Sequence, residues 1–180
     1  MAATPTHLMT VEEFSRLPED QGAVYHELRH GEVVTMTRPI LKHRIIQWRL
    51  RDFLKALAPV GSLVEDEVAY RALPEYELRE ADVAWVSRER WAATDPEGYV
   101  CGAPDLVIEV LSPSNSASEV IEKEQLCLEN GAKEFWVVDP KCRHVKVSTP
   151  DGLTRTWKSG QQIPLPLFGN ALLPVDAIFA

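Results

Sequence analysis

The segment Pro104–Ser114 most constrains the fold, because its centre has the composition of a strand buried on both faces. That centre is a nearly continuous apolar run, made up of Leu106, Val107, Ile108, Val110 and Leu111. Such a run is typical of a strand covered on both sides of a sheet. Glu109 interrupts the run, and an ionised carboxylate among apolar neighbours is costly unless it is paired or bound to a metal. Glu109 is therefore the first candidate functional residue.

The length and composition of the chain indicate its organisation. The chain has 180 residues, of which 45% are hydrophobic, enough for a sizeable core in one domain and short for two. We therefore expect a single domain over residues 1–180. No stretch approaches the length of an apolar membrane span, and Met1 to His7 lack the layout of a signal peptide. These features predict a soluble, cytoplasmic protein with no membrane partner.

The three cysteines indicate neither a disulfide framework nor a zinc ribbon. Cys101, Cys127 and Cys142 are an odd number and lack CxxC spacing. Free thiols are therefore the favoured interpretation.

Charge is distributed unevenly along the chain. The formal net charge of −8 argues against a surface that attracts nucleic acid everywhere. The segment from Arg38 to Lys55 has six basic residues and one acid, so its charge is +5 and the rest of the chain carries −13. A solvated helix face is the favoured interpretation, and a DNA-contacting surface is the alternative. On that alternative, the contacting residues are Lys42, Arg44 and Arg49.

Local patterns predict the helices. Thr10 with Glu13 and Ser116 with Glu119 fit capping boxes, which mark helix starts. The predicted helices cover 10–17, 41–58 and 116–130, with a helical turn near 88–91. In the second of these, apolar residues recur at helical spacing beneath the basic face.

Alternating and apolar runs predict the strands, which cover 23–28, 32–37, 62–73, 82–86, 106–111, 134–139, 144–149 and 153–158. Gly31 and Gly152 indicate hairpin turns. The proline-rich tail from Ile163 to Ala180 has no assigned structure. Hairpins that lead into buried strands, followed by a strand–helix–strand unit, predict an α/β or α+β layered sheet.

Spacing limits which acids can share an ion. Asp105 and Glu109 lie on one strand, roughly 13 Å apart at about 3.3 Å per residue, so they cannot bind the same cation. Asp82 opens another predicted strand, and an antiparallel pairing would place it beside Glu109. Two carboxylates with positions left for water suit Mg²⁺ or Mn²⁺, which often serve phosphodiester hydrolysis. The alternative is that these acids are solvated or capping residues.

Several ordered segments together resemble the bacterial Uma2 family. They are Tyr25–Glu32, His43, Ala81–Val83, Pro104–Ser114, Lys123 and Gly131–Pro140. The resemblance extends over about residues 11–147 and leaves 148–180 as a C-terminal extension. That family is assigned to the PD-(D/E)XK nuclease superfamily. The resemblance therefore implies a restriction-endonuclease-like fold, with a central mixed β-sheet flanked by helices.

The resemblance also implies roles for particular positions. Asp82 resembles the strand-opening acid of the nuclease motif, and Glu109 resembles its second acid. Leu111 stands where the lysine of the motif is expected, so the resemblance implies that Lys123 on the next helix supplies that lysine. From the residues alone, Lys123 is better interpreted as a solvated side chain at the edge of an apolar helix face.

The implied activity is metal-dependent hydrolysis of phosphodiester bonds in DNA. The resemblance implies that Asp82, Glu109 and the backbone carbonyl of Val110 bind Mg²⁺ or Mn²⁺. Lys123 would then stabilise charge on the attacking hydroxide or on the phosphate.

Glu27 and His43 match further polar positions of the family, and we expect Glu27 to support a second metal ion or a water.

Cleavage of both strands of a duplex needs two sites, which predicts a two-fold homodimer. The alternative function is a non-catalytic module for nucleic-acid binding or assembly. The acidic balance favours this alternative, whereas the ordered set of two acids and a lysine favours the enzyme.

Overall fold

The computed structural model describes residues 7–18, 22, 24–73, 75–113 and 115–180. The strands are β1 (Val24–Arg29), β2 (Glu32–Thr37), β3 (Leu63–Arg71), β4 (Arg79–Val86), β5 (Val100–Cys101), β6 (Leu106–Val110), β7 (Glu134–Asp139), β8 (His144–Ser148), β9 (Thr154–Lys158), β10 (Gln162–Leu165) and β11 (Ala171–Pro174). The α-helices are α1 (Val11–Phe14), α2 (Leu41–Leu57), α3 (Arg88–Ala92), α4 (Ala117–Glu129) and α5 (Val175–Phe179).

A mixed seven-stranded sheet forms the centre of the described structure. Its strand order is β5-β3-β4-β6-β7-β8-β9. β6 pairs antiparallel with β4 and parallel with β7, and α4 provides the crossover between β6 and β7. The predicted mixed sheet flanked by helices is therefore confirmed, and the strand centred on Glu109 lies in its middle.

Two apolar cores cover the two faces of this sheet. Ile46, Leu50 and Leu54 of α2 pack with Ile108 in one core. The other core includes Leu126 and Cys127 of α4, Val107 of β6 and Phe135 of β7. Because side chains alternate along a strand, Val107 and Glu109 share the face that α4 covers. This alternation directs Glu109 towards the helix that carries Lys123.

Both predicted capping boxes form. Thr10 caps α1 and Ser116 caps α4, and in each helix the third residue, Glu13 or Glu119, accepts a hydrogen bond from the backbone of the cap residue.

The structure corrects the predicted start of one strand. β4 begins at Arg79 rather than at Asp82, so Asp82 lies inside the strand. The charges before Asp82 indicated a turn, yet Glu77 and Arg79 are almost fully buried and form an ion pair of 2.7 Å with each other. Charged residues that neutralise one another can occupy buried strand positions.

The C-terminal tail completes the core on the α2 side. β10 and β11 form an antiparallel pair, and Ile163, Phe168, Leu173 and Ile178 pack into the same core as α2. None of the helices within the described ranges has the length and apolar character needed to cross a membrane.

Candidate active site

A cavity of about 830 Å³ opens beside the end of β6. Side chains from several elements line it, including Glu27 of β1, His43 of α2, Asp82 of β4, Glu109 of β6 and Lys123 of α4. The first and last of these residues, Glu27 and Lys123, are 96 positions apart in the sequence. The sheet pairing and the α4 crossover bring the five residues together.

Asp82 and Glu109 are cross-strand neighbours. The antiparallel register of β4 and β6 ends at the pair of Val83 and Ile108, and Asp82 and Glu109 are the next residues of the two strands beyond that pair. The backbone N–H of Val110 donates to Asp82 Oδ2 at 2.6 Å. The structure thus brings together the two acids that sequence analysis selected.

Lys123 reaches this pair of acids from α4. Its Nζ lies 2.9 Å from Glu109 Oε1 and 3.8 Å from Glu27 Oε1, and it donates to the Glu80 carbonyl at 2.6 Å. The residue is 7% exposed. The structure therefore does not support the solvated lysine that the helix pattern alone favoured.

The charges of Glu109 and Lys123 depend on each other. Burial lowers the pKa of Lys123, but the attraction of Glu109 and Glu27 outweighs it and raises that pKa overall. Burial raises the pKa of Glu109 to about 7, and the nearby Asp82 adds to the shift while Lys123 opposes it. Lys123 therefore remains a cation, whereas Glu109 changes charge near neutral pH.

Glu27 is a buried acid that contacts the side chain of Lys123. It is 1% exposed, pairs with Arg29 at 2.7 Å, and accepts the backbone N–H of Glu80 at 2.9 Å. Burial opposes its ionisation, but Lys123, Arg29 and the Glu80 N–H together lower its pKa. Glu27 is therefore a buried anion whose described contacts are cations and a backbone N–H.

Two side chains of α2 contact Asp82. His43 Nε2 lies 3.1 Å from Asp82 Oδ1, and Gln47 donates to the same oxygen at 2.9 Å. Sequence analysis selected His43 and missed Gln47. The available signal was spacing, since Gln47 follows His43 by one helical turn and shares a helix face with the buried Leu50 and Leu54. An amide in an apolar stripe needs a polar partner.

Next to Asp82, the side chains of β3 and β4 stop alternating regularly between the two faces of the sheet. Val64 packs on the α2 side and Val68 on the α4 side, although their even spacing in β3 would place both on one face. In β4, Ala81 packs on the α4 side and Val83 on the α2 side, although they too are two residues apart. Between Val64 and Val68, Glu67 has a left-handed φ of 53°, a conformation that is strained for a non-glycine residue. This kink accounts for the contact of Asp82 with side chains of α2.

Buried polar atoms beside Asp82 provide a test for a bound cation. Among the described residues, both ring nitrogens of His43 and Gln47 Oε1 are buried and have no hydrogen-bond partner. Buried polar atoms are normally satisfied by protein, water or a ligand. Together with two carboxylates, which are hard oxygen donors, they fit a hydrated divalent cation at this position.

The three candidate DNA contacts of α2 do not share one face. Lys42 lines both the large cavity and a neighbouring groove, and Arg49 lines that groove. Arg44 instead forms an ion pair of 2.5 Å with Glu67 of β3. Arg51 and Lys55 form similar pairs with β3, to Asp66 and Glu65 respectively.

Asp105 and Cys127 make contacts that stabilise the fold and lie away from the pair of Asp82 and Glu109. Asp105 is 1% exposed at the other end of β6, where it accepts the Ser87 N–H at 2.8 Å and pairs with Lys133 at 3.0 Å. Cys127 is buried, and its sulfur lies 3.1 Å from the Tyr70 hydroxyl. Asp105 therefore lies outside the site, as its spacing from Glu109 predicted.

The raised pKa of Glu109 predicts a pH-dependent stability in the absence of metal. Burial, with a contribution from Asp82, raises this pKa from 4.5 to about 7, so the folded protein binds a proton that the unfolded chain has released. The resulting stabilisation is complete below pH 4.5 and is lost as the pH rises through about 7. In EDTA, wild-type stability should fall relative to that of Glu109→Gln by roughly 3 kcal/mol between pH 4.5 and 8.

Urea denaturation at several pH values would measure this difference. The comparison uses the change in the free energy of unfolding with pH in each protein. The absolute free energies are not compared, because Glu109→Gln also removes the ion pair with Lys123. Glu80, whose pKa burial also raises to about 7, is present in both proteins and cancels. Parallel curves for the two proteins would contradict the shift.

The fold and the convergent acids and lysine define a restriction-endonuclease-like protein. A family model described as "Putative restriction endonuclease", the Uma2 family, matches residues 11–176. The chain therefore belongs to the Uma2 family. The match includes most of the tail that sequence analysis treated as an extension.

A solved structure has the same fold. It is described as "a putative nuclease belonging to DUF820" from Anabaena variabilis. The TM-score is 0.79 at 23% sequence identity, and the alignment covers 95% of this chain and 97% of the other. No curated protein matches the chain.

Proposed function

We propose that this protein is a metal-dependent endonuclease that hydrolyses phosphodiester bonds in DNA. The observation that carries the proposal is the convergence of Asp82, Glu109 and the buried cation Lys123 in one cavity, beside buried polar atoms that lack protein partners. Membership of a family described as "Putative restriction endonuclease" supports the same reaction class.

A Mg²⁺ or Mn²⁺ ion would be held by Asp82, Glu109 and the backbone carbonyl of Val110. The N–H and C=O groups of one strand residue point to the same neighbouring strand, and the Val110 N–H points to Asp82. Its carbonyl is therefore on the side of the two carboxylates. When bound, the ion would supply positive charge to the scissile phosphate and lower the pKa of a bound water.

The protein's own residues have distinct roles in this proposal. Lys123 stays protonated, so it stabilises negative charge that develops on the phosphate or the attacking hydroxide and does not act as a general base. Gln47 and His43 orient Asp82, since both contact Asp82 Oδ1. Glu27 positions Lys123 through the contact between their side chains, and its support of a second metal ion or a water stays a prediction.

DNA would approach the cavity along α2, where Lys42 lines the cavity and Arg49 lines the neighbouring groove, while Arg44 would have to leave its ion pair with Glu67. We include a two-fold homodimer in the proposal, because it presents one site to each strand of a duplex. A monomeric mass at assay concentration would remove the dimer from it. The proposed location is the cytoplasm.

Cleavage assays on plasmid and single-stranded DNA test the proposal. With Mn²⁺ the wild-type protein should cut DNA, and EDTA should abolish cutting. Millimolar Mn²⁺ should also raise the melting temperature of the wild type, because binding to the folded state alone is stabilising. Both effects should be lost in the double variant Asp82→Asn/Glu109→Gln.

The matched control is Asp52→Asn/Glu129→Gln, which makes the same changes at two exposed positions. It should cut DNA and respond to Mn²⁺ as the wild type does. A Mn²⁺ effect on melting that persists in the Asp82/Glu109 variant would place the cation elsewhere. Salt-sensitive DNA binding without cleavage under any metal condition would favour the non-catalytic module.

A further inference from the structure

A second cluster of metal-ligating side chains lies at the turn between β7 and β8. A carboxylate oxygen of Asp139, the sulfur of Cys142 and an imidazole nitrogen of His144 all lie within 4.8 Å of one another. Asp139 Oδ2 and His144 Nε2 are 3.9 Å apart. Asp139 and His144 are the last registered pair of the antiparallel strands, so they share one face of the sheet.

The turn fixes the orientation of Asp139. Its Oδ1 accepts the backbone N–H groups of Lys141 at 2.7 Å and Cys142 at 2.9 Å. This arrangement leaves Oδ2 directed to His144. Cys142 is exposed, so its sulfur is accessible to an ion from solvent. Two ligands are thus held by a strand pair, and the third is carried by the turn that connects them.

The spacing and chemistry of the three atoms fit a zinc-like ion. Zinc binds thiolate, imidazole and carboxylate ligands tetrahedrally at about 2.0–2.3 Å, which separates ligand atoms by roughly 3.3–3.8 Å. The separation of 3.9 Å between Asp139 Oδ2 and His144 Nε2 is already close to that range, and the sulfur lies within 4.8 Å of its two partners. Thiolate and imidazole favour Zn²⁺ over Mg²⁺, which prefers oxygen ligands such as those of Asp82 and Glu109.

We propose that Asp139, Cys142 and His144 bind one Zn²⁺-type cation, with the fourth position open to water or an exchangeable ligand. The ion joins the end of β7 to the start of β8. Asp139 also lines the large cavity, whereas Cys142 and His144 do not. The site is separate from the Asp82 and Glu109 pair and goes beyond the proposed function.

Co²⁺ provides a spectroscopic test, because a thiolate ligand gives a charge-transfer absorption that nitrogen and oxygen ligands lack. The reduced wild-type protein should bind one equivalent of Co²⁺ with this absorption, and Zn²⁺ should displace it. Cys142→Ser should abolish the absorption, whereas Cys101→Ser, which changes another exposed cysteine, should retain it. Asp82→Asn/Glu109→Gln should also retain it, which separates this site from the proposed nuclease site.

His144→Gln provides a second measurement, because neither His144 nor Cys142 caps the turn as Asp139 does. Its Zn²⁺ affinity, measured by competition with a chromophoric chelator, should fall by more than about 100-fold, since loss of even an outer partner of a ligand costs about 10–100-fold. Absence of a thiolate absorption in the wild type, its persistence in Cys142→Ser, or unchanged affinity in His144→Gln would each overturn the proposal.

Discussion

Replacing Lys123 by methionine should lower the rate of DNA cleavage by a factor of about 10²–10³, the cost of removing one preorganised group that stabilises transition-state charge. Lys123 is buried and protonated, and its Nζ lies 2.9 Å from Glu109. Single-turnover cleavage measures the chemical step. Mn²⁺ affinity should change little at a pH where Glu109 is ionised in both proteins, and because Lys123 holds the pKa of Glu109 down, that pH lies further above 7 in Lys123→Met.

Two variants control for a general loss of structure. Lys123→Arg keeps the charge and should retain more activity than Lys123→Met. In the Lys123→Met background, Leu111→Lys should restore part of the rate, because Leu111 lies two residues after Glu109, lines the same cavity and is only partly buried. Cleavage at the wild-type rate by a folded Lys123→Met protein would exclude Lys123 from the mechanism.

Replacing Glu27 by alanine should lower the free energy of unfolding by about 3–5 kcal/mol, the usual cost of removing one partner from a buried ion pair. Glu27 is 1% exposed, and its loss leaves Arg29 and Lys123 without their shared anion. Urea denaturation measures the effect. Glu27→Gln should lose less, because its side-chain oxygen can still accept the Glu80 N–H.

Glu32→Gln is the matched control, since Glu32 lies in the same hairpin and is exposed. Its stability should stay within about 0.5 kcal/mol of wild type, as for most surface changes. Mn²⁺ affinity should be unaffected in a folded Glu27→Gln protein, because Glu27 is surrounded by cations and a backbone N–H. A large loss of Mn²⁺ affinity would instead make Glu27 a metal ligand.

Sequence patterns predicted the elements that place the main candidate residues. The apolar run around Glu109 identified the central strand, and the capping box at Ser116 identified the start of the helix that carries Lys123. Antiparallel pairing of the strands of Asp82 and Glu109 was the condition for their convergence, and the structure shows that pairing. Lys123 depended on the family resemblance, because its distance from Glu109 along the chain carries no geometric signal.

The residues that sequence analysis missed owe their roles to contacts between distant segments. Gln47 has no chemical signature until Asp82 is placed beside it. Arg79 indicated a turn because one of its partners, Glu122, lies on a distant helix and could not be known from local sequence. The left-handed Glu67 is not marked by glycine or asparagine, the residues that usually signal that conformation.

The ion pairs between α2 and β3 change what the positive charge of that helix means for DNA binding. Arg44, Arg51 and Lys55 carry built-in counterions, namely Glu67, Asp66 and Glu65. A phosphate that engages one of these cations must displace a carboxylate fixed to the protein, and that carboxylate is not released into solution. Such an exchange yields little of the ion-release entropy that drives nucleic-acid association. The number of basic residues in α2 therefore overstates the free energy that the helix can contribute to holding a polyanion.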